Sequence, residues 1–361
     1  MHFALTEEQA ELASAVRGLV ARRAGSTDLR AAIDSDDGYD RTLWADLCQQ
    51  IGVAALAIPE EFGGAGFTLF ETHVVLEALG ASLTPTPLLG SGVLAAQVLL
   101  AAGGDAAAEL LPLIAEGEVV ALAWADAAGR HRTDGSDVTA DGDRLTGVAS
   151  LVLHGADATH LLVVADLDGS PALFSVTPDA DGLTRTRTTG VDQTLAFARI
   201  ELTDTPATVL ATDFGDALVR LHAIAAIAIS ALQVGGAQAC LDRTVAYLTE
   251  RDQFERPLGS FQALKHRAAD MLVQVETARS MSWAAGFASG SDESTPELVR
   301  QAALAKSWCS EAFETVAGEM IQLHGGIAIT WEHDAHLYFK RAHALGQLFG
   351  RPHEHRAALL P

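Results

Sequence analysis

The sequence is short of the residue types that would commit it to several large functional classes. Its 361 residues carry 24 Lys and Arg against 47 Asp and Glu, a formal charge of −23. Such a surplus of negative charge repels a nucleic-acid backbone or an anionic membrane surface, so neither is expected as a partner. Cysteine is scarce: Cys48, Cys240 and Cys309 are odd in number, widely spaced and outside any C-x-x-C pattern. That argues against a disulfide framework and a thiolate zinc site, and fits a reducing cytoplasm. The opening MHFALTEEQAELA lacks a basic segment ahead of an apolar one and does not read as a signal peptide. The most apolar run, HAIAAIAISALQVGGAQACL from His222, is broken by Ser and Gln and preceded by Arg220. It reads as a buried central helix, because a membrane span asks for about 18 or more apolar residues with few or no charges.

Aromatics make up only 6% of the chain, while 49% of it is apolar. A sizeable core is therefore available, built largely from close-packed helices with small side chains. Thr6 and Gln9 form a capping-box signature, and Leu12, Val16, Leu19 and Val20 then share one helical face. Further helices fit residues 41–51, 69–79 with Gly80 as the stop, 92–102 and 106–116. Between residue 119 and about 210, short apolar runs (VVALAWA, RLTGVASLVL, THLLVVADL, PALFSVT, TLAFARIEL) are separated by Asp, Gly, Pro and Thr clusters, the pattern of a small antiparallel β domain. The helical period returns after Phe214, predicting four long helices near 214–250, 259–288, 296–323 and 331–346. The expected organisation is an N-terminal helical domain (1–118), a middle antiparallel, barrel-like β domain (119–211) and a C-terminal four-helix bundle (212–361), mainly α overall.

Several motifs have simple readings. GGAG near residue 64 and HGG at 324–326 are not dinucleotide fingerprints, since no strand precedes them and no βαβ unit follows; glycine there lets a backbone approach a ligand closely. His333 and His336 beside Glu332, with His353 and His355 beyond, have spacing common on solvated helix faces, and no metal site is expected. Cys309 beside Trp308 reads as a packed thiol, and no serine sits in a nucleophile elbow. The stretch TERDQFERPLGSFQALKH (249–266) stands apart. It places Arg251, Phe254, Arg256, Lys265 and His266 around a Pro-Leu-Gly break, a basic cluster suited to an anionic ligand. Its simpler reading is cations solvated at a helix C-terminus, where the dipole favours them.

Together, IPEEFGGAGFTLFETHVVLEALG, RDQFERPLGSFQALKHRAADM, QLHGGIAITWEHDAHLYFKRA and the order helix, β, helix resemble the acyl-CoA dehydrogenase family over essentially the whole chain. The last motif is most similar to the actinobacterial branch acting on sterol-derived CoA thioesters. The resemblance implies α,β-desaturation of an acyl-CoA: a carboxylate removes the α proton while the β hydrogen leaves as hydride to FAD. An electron-transfer flavoprotein is the implied electron acceptor. It also implies that Arg251 and Phe254 contact FAD lying mainly in a neighbouring subunit, and that Gln322, Gly325 and Gly326 approach its adenosine half. A guanidinium fork suits pyrophosphate and an aromatic face suits the cofactor's rings.

The sequence departs from the family where the chemistry is done. The two positions at which relatives carry the base fall on Ala225 and Gly350, and no Asp or Glu occurs between Asp216 and Asp242. Glu354, about a turn past the second position, and Glu255, in the cofactor strip, are the remaining acids to weigh. AWADAAG keeps only Asp126 where relatives have a Thr-Glu-Pro-like turn, and Leu151 and Leu153 stand where relatives flank the flavin with Trp and Thr. Leucine offers a flavin no hydrogen bond. This asymmetry implies the base-lacking subunit of an α2β2 enzyme, completing the FAD site of a homologous partner. Two alternatives remain open: a self-sufficient homo-oligomeric dehydrogenase using Glu354, and a flavin-free acyl-CoA-binding or scaffold protein.

Overall fold

The computed structural model describes residues 4–23, 25–291 and 293–360. Helices α1 (Glu7–Arg23), α2 (Ser26–Asp34), α3 (Arg41–Asp46), α4 (Leu69–Ala81), α5 (Ala96–Ala102) and α6 (Gly104–Glu116) build the N-terminal part. α3 runs on into a π-helical turn (Leu47–Ile51), and another (Leu88–Ala95) leads into α5. α1 starts as its capping signature suggests: Thr6 N–H donates to Gln9 Oε1 at 3.0 Å and Gln9 N–H to Thr6 Oγ1 at 3.2 Å. Ala13, Val16, Leu19 and Val20 form its buried face, with Leu12 half-buried. The short helix α2 has too few turns to announce itself by apolar period alone.

Eight strands follow: β1 (Val120–Ala123), β2 (Thr139–Asp141), β3 (Arg144–Leu153), β4 (His160–Leu167), β5 (Ser170–Val176), β6 (Leu183–Thr188), β7 (Phe197–Pro206) and β8 (Thr208–Ala211). Their order is β6-β7-β3-β2-β4-β5-β8, with β1 pairing β4. Most pairings are antiparallel, but β1 and β2 both run parallel to β4. The apolar alternation that reveals a strand does not reveal its direction; the connections from β1 and β2 to β4 are long enough for the crossovers that parallel pairing needs.

The C-terminal part comprises α7 (Gly215–Glu250), the two-residue strands β9 (Asp252–Gln253) and β10 (Arg256–Pro257), then α8 (Gln262–Ser289), α9 (Thr295–His324), α10 (Ala335–Gln347) and α11 (Pro352–Ala357). α7 is long and apolar enough to cross a membrane by length and composition, yet the most apolar part of it is 78% buried inside the protein. α4, α8, α9 and α10 pack around it.

Gly80 does not stop α4, which runs through it to Ala81. Its reason is packing: a Cβ at Gly80 would lie 2.3 Å from Leu232 O, and one at Gly235 would lie 1.9 Å from Glu77 O. These two glycines let α4 and α7 cross backbone to backbone. The 249–266 stretch differs from expectation too. Arg251 is the extended C-cap of α7, and Phe254 and Glu255, at φ +55° and +65°, form the two-residue tip of a hairpin between β9 and β10. Phe254 therefore stands at the tip of a hairpin that follows α7 directly, with Arg251 at its base, where Arg251 O accepts the Leu258 N–H.

Candidate active site

Two concavities hold the residues of interest. The outer one is a groove of about 500 Å³ where the end of α7 meets the end of α9, lined by Tyr247, Arg251, Gln253, Gln322, His324, Gly325, Gly326 and Ile327 among others. Four of the five residues expected at the cofactor, Arg251, Gln322, Gly325 and Gly326, are thus brought together from positions about 70 apart in sequence. Gly325 ends α9 at φ +67°, and a Cβ at Gly325 or Gly326 would meet nothing within 4 Å. Packing does not require these glycines; they leave open space. The groove's floor is rigid: Tyr247 stacks on His324 with centroids 4.4 Å apart, and His324 Nδ1 donates to Met320 O at 2.8 Å. Burial holds the His324 pKa down.

Phe254 stands beside the groove rather than in its lining, 83% exposed at the hairpin tip and edge-on to Phe261 at 6.2 Å. Arg256 lies over the same Phe261 ring at 4.0 Å. The basic cluster read from the sequence is therefore divided: Arg256 is engaged by an aromatic ring, while Arg251 has no side-chain partner among the described residues. Ile327 lines the groove, and Ile329 and Trp331, a few residues on, are exposed.

The inner concavity is a cleft of about 900 Å³ between the β domain and the bundle. Its walls come from the loop after β1 (Ala128 to His131), Leu151 of β3, the 188–192 loop, His222 and Ala223 of α7, Ala302 and Ala303 of α9, and the turn from Gln347 through Gly350 to Glu354. Of the two base positions, Gly350 lines this cleft and Ala225 is fully buried in α7. Glu354 also lines it, but its Oε2 accepts the Arg351 N–H at 2.7 Å, capping α11. Glu255 is exposed at the hairpin tip, which leaves it outside both linings. Asp126 is buried and engaged in its own turn, accepting from Ala128 N–H at 2.9 Å, Arg130 N–H at 2.8 Å and Arg130 Nε at 2.8 Å. Burial pushes its carboxyl up, but those bonds outweigh it and hold the pKa below the usual range.

Leu151, at the unusual φ of +51°, faces the cleft, whereas Leu153 is buried. What the cleft offers instead is imidazole. Neither His131 nor His222 has a hydrogen-bond partner among the described residues, although His131 packs on Phe349 with centroids 4.1 Å apart. Burial lowers the His131 pKa to about 3 and that of His222 to about 4, so both rings are neutral near pH 7. Sequence reasoning missed these two; the available signal was that His222 precedes Ala225 by one helical turn, on the same face. His355, of no evident role in the sequence, is buried and stacks near His222, centroids 6.0 Å apart.

The remaining candidates have local roles. His333 Nδ1 accepts from the Ala335 N–H at 3.1 Å, and His336 stacks on Trp331 at 5.1 Å. Among the described residues no group of three or more His, Cys, Asp or Glu has the arrangement of a metal site. Cys309 is buried, its Sγ donating to Ala278 O at 3.3 Å, and burial pushes its thiol pKa up.

Helices flank a β sheet, with a glycine-rimmed groove at one end of the bundle and a cleft between sheet and bundle, and sequence comparison assigns this arrangement to a family. Residues 6–118 match the acyl-CoA dehydrogenase N-terminal domain and residues 218–355 the acyl-CoA dehydrogenase C-terminal domain. The chain belongs to the acyl-CoA dehydrogenase family. It is 42% identical to acyl-CoA dehydrogenase IpdE2 of Mycolicibacterium smegmatis over 97% of each chain, and 41% identical to IpdE2 of Mycobacterium tuberculosis over 96% and 95%. Among solved structures it is similar to the Tcur3481-Tcur3483 steroid ACAD G363A variant (33% identity, TM-score 0.89, 98% and 96% covered). It is also similar to the ChsE4-ChsE5 complex of Mycobacterium tuberculosis (28% identity, TM-score 0.89, 99% and 97% covered).

The family's cofactor is FAD. The groove fits its pyrophosphate and adenosine end, with an unpartnered guanidinium at Arg251 and open backbone at Gly325 and Gly326. The cleft fits the flavin ring less well at Leu151, although His131 and His222 present uncharged hydrogen-bonding groups nearby.

Proposed function

We propose that this chain is the base-lacking subunit of a heteromeric, FAD-dependent acyl-CoA dehydrogenase that desaturates a bulky, sterol-derived acyl thioester between its α and β carbons. The observation that carries the reading is the contrast between the two concavities. The groove gathers Arg251, Gln322, Gly325 and Gly326 around open space, while neither Ala225 nor Gly350 carries a carboxylate and both acids lining the cleft are engaged, Glu354 in capping α11 and Asp192 by Arg341. Desaturation needs a placed base, because an α C–H is a very weak acid. Bound FAD supplies the hydride acceptor; this chain's part is to hold the pyrophosphate through Arg251, to offer Phe254 to the cofactor's rings, and to let Gly325 and Gly326 admit the adenosine end.

The relatives support a partner and a substrate class. One similar structure is a steroid enzyme of two gene products and another is a two-protein complex. Small side chains on two walls of the cleft, Ala223 of α7 and Ala302 and Ala303 of α9, suit a large acyl group. In this reading the partner is a homologous subunit bearing a glutamate where this chain has Ala225. The assembly is a heterotetramer with one flavin for each pair of unlike chains, and electrons pass on to an electron-transfer flavoprotein. Its place is the reducing cytoplasm, consistent with three buried free cysteines.

The test is the flavin-to-protein ratio, from visible absorbance, of the chain purified alone and after mixing with such a partner. A colourless chain that yields a yellow, active complex supports the reading. One FAD per chain with turnover in isolation defeats it and makes Glu354 the first residue to replace. A chain whose partners never bind flavin is instead a scaffold or acyl-CoA-binding protein.

A further inference from the structure

Position 350 is more than a place where a carboxylate is absent. Gly350 sits at φ +98°, and a Cβ built on it would meet His355 Nε2 at 2.8 Å and Cδ2 at 3.2 Å. That imidazole, delivered by α11, is buried and fixed: Nε2 donates to Phe349 O at 2.8 Å. From α9, Lys306 Nζ donates to Gly346 O at 3.2 Å and to Gly350 O at 2.9 Å. Two side chains thus pin three carbonyls of the turn that forms the inner end of the cleft, and Phe349 is held at φ +55° between them. A real Cβ essentially never comes as close as 2.8 Å to another heavy atom, and here the neighbour is a ring that has no free end to swing away.

We propose that His355 is the positioning residue that closes the base position of this chain. Its ring holds the volume in which any side chain at 350 would begin, so a carboxylate cannot be carried there while His355 is present. A single Gly350→Glu exchange therefore does not regain a base; residues 350 and 355 have to change together. The importance attached to position 350 rests on the functional reading above. The packing does not, so the two fail separately.

The experiment uses a thiol as the smallest reporter, since Cys48, Cys240 and Cys309 are all buried. Gly350→Cys, His355→Ala, His355→Gln and the double variant Gly350→Cys/His355→Ala are compared by thermal midpoint and by rate of reaction with Ellman's reagent. The clash disappears in the double variant, whereas the backbone strain of a non-glycine at φ +98° remains. The expected result is a midpoint loss in the double variant smaller than the sum of the two single losses, with a thiol that reacts from the cleft in the double variant and is shielded in Gly350→Cys. His355→Gln, whose Nε2 can keep the bond to Phe349 O, stays close to the wild-type midpoint. Additive losses, or equal thiol reactivity with and without His355, overturn the proposal. Should Gly350→Cys not fold at all, recovery of folded protein on adding His355→Ala supports it and failure to recover overturns it.

Discussion

Acid should destabilise this protein in part through His73, and the magnitude follows from its surroundings. His73, on α4, is 2% exposed, stacked on Phe70 at 5.8 Å and bonded through Nε2 to Ser282 Oγ at 3.0 Å. No charged group offsets its burial, which drives the pKa down to about 3 from an ordinary 6.5. In the unfolded chain the imidazole takes a proton as pH falls through about 6.5; in the folded protein it stays neutral until about pH 3. The unfolded state therefore gains stability throughout that window, and at pH 5, some 1.5 units below the unfolded value, His73 alone costs about 2 kcal/mol. Above pH 7 it costs nothing. His73→Gln, which keeps a polar partner for Ser282 and cannot titrate, should lose about 2 kcal/mol less than wild type between pH 7.5 and pH 5. Urea unfolding at the two pH values measures this. Equal pH dependence in the two proteins would mean that His73 is protonated in the folded state, and the argument from burial would fail.

Three further outcomes are expected. Arg251→Ala should weaken FAD retention by the assembled enzyme roughly 10-fold or more, as expected for a lost charge-assisted hydrogen bond, without lowering the thermal midpoint of the isolated chain, because its guanidinium supports nothing else; equilibrium dialysis of the flavin measures it. Gly235→Ala should destabilise by more than about 1–3 kcal/mol, since its Cβ would meet the Glu77 backbone oxygen at 1.9 Å and backbone cannot turn aside; denaturant unfolding checks this. Lys306 is fully buried, and burial lowers its pKa to about 7 from 10.5. Stability should therefore rise by about 2 kcal/mol from pH 7 to pH 9, as the unfolded amine stays charged while the folded one loses its proton. That rise should be absent in Lys306→Met.

Much of the architecture was legible because its signals are local. The Thr6 to Gln9 cap, the apolar stripe of α1 and the long periodic runs of the bundle are short-range patterns, and the structure repeats them. Gly80 was misread because the same residue ends helices and permits close crossings; only the approach of Leu232 O decides between the two. The 249–266 hairpin was hidden because Phe254 and Glu255 are not turn formers, yet both adopt positive φ. The groove residues were found by resemblance, since nothing in the spacing of Arg251 and Gln322 places them together. His131, His222 and His355 were missed because their meeting in one cleft joins a β-domain loop, the start of α7 and α11, a relation that exists only in three dimensions.

The β domain and the bundle must keep a fixed relation for the cleft between them to have a shape, and one buried pair is placed to enforce it. Arg341 of α10 lies 2.7 Å from Asp192 Oδ2, with side chains 3% and 1% exposed. Its Nε also donates to Thr194 Oγ1 at 2.8 Å and Nη2 to Thr194 O at 3.1 Å. Asp192 lines the cleft, so the pair ties the cleft's outer wall to the helix that leads into Gly350. Removing one partner strands a charge in a dry site, which typically costs about 3–5 kcal/mol, whereas replacing both with apolar groups of similar volume is often close to neutral. Arg341→Met and Asp192→Leu should therefore each lower the unfolding midpoint sharply, and the double variant should recover most of the loss. Its cleft, held by packing alone, should then bind less selectively, so recovered stability without recovered activity in the assembled enzyme would identify the pair as a device for shape. Full recovery of both would show that apolar contact suffices to hold the two layers in register.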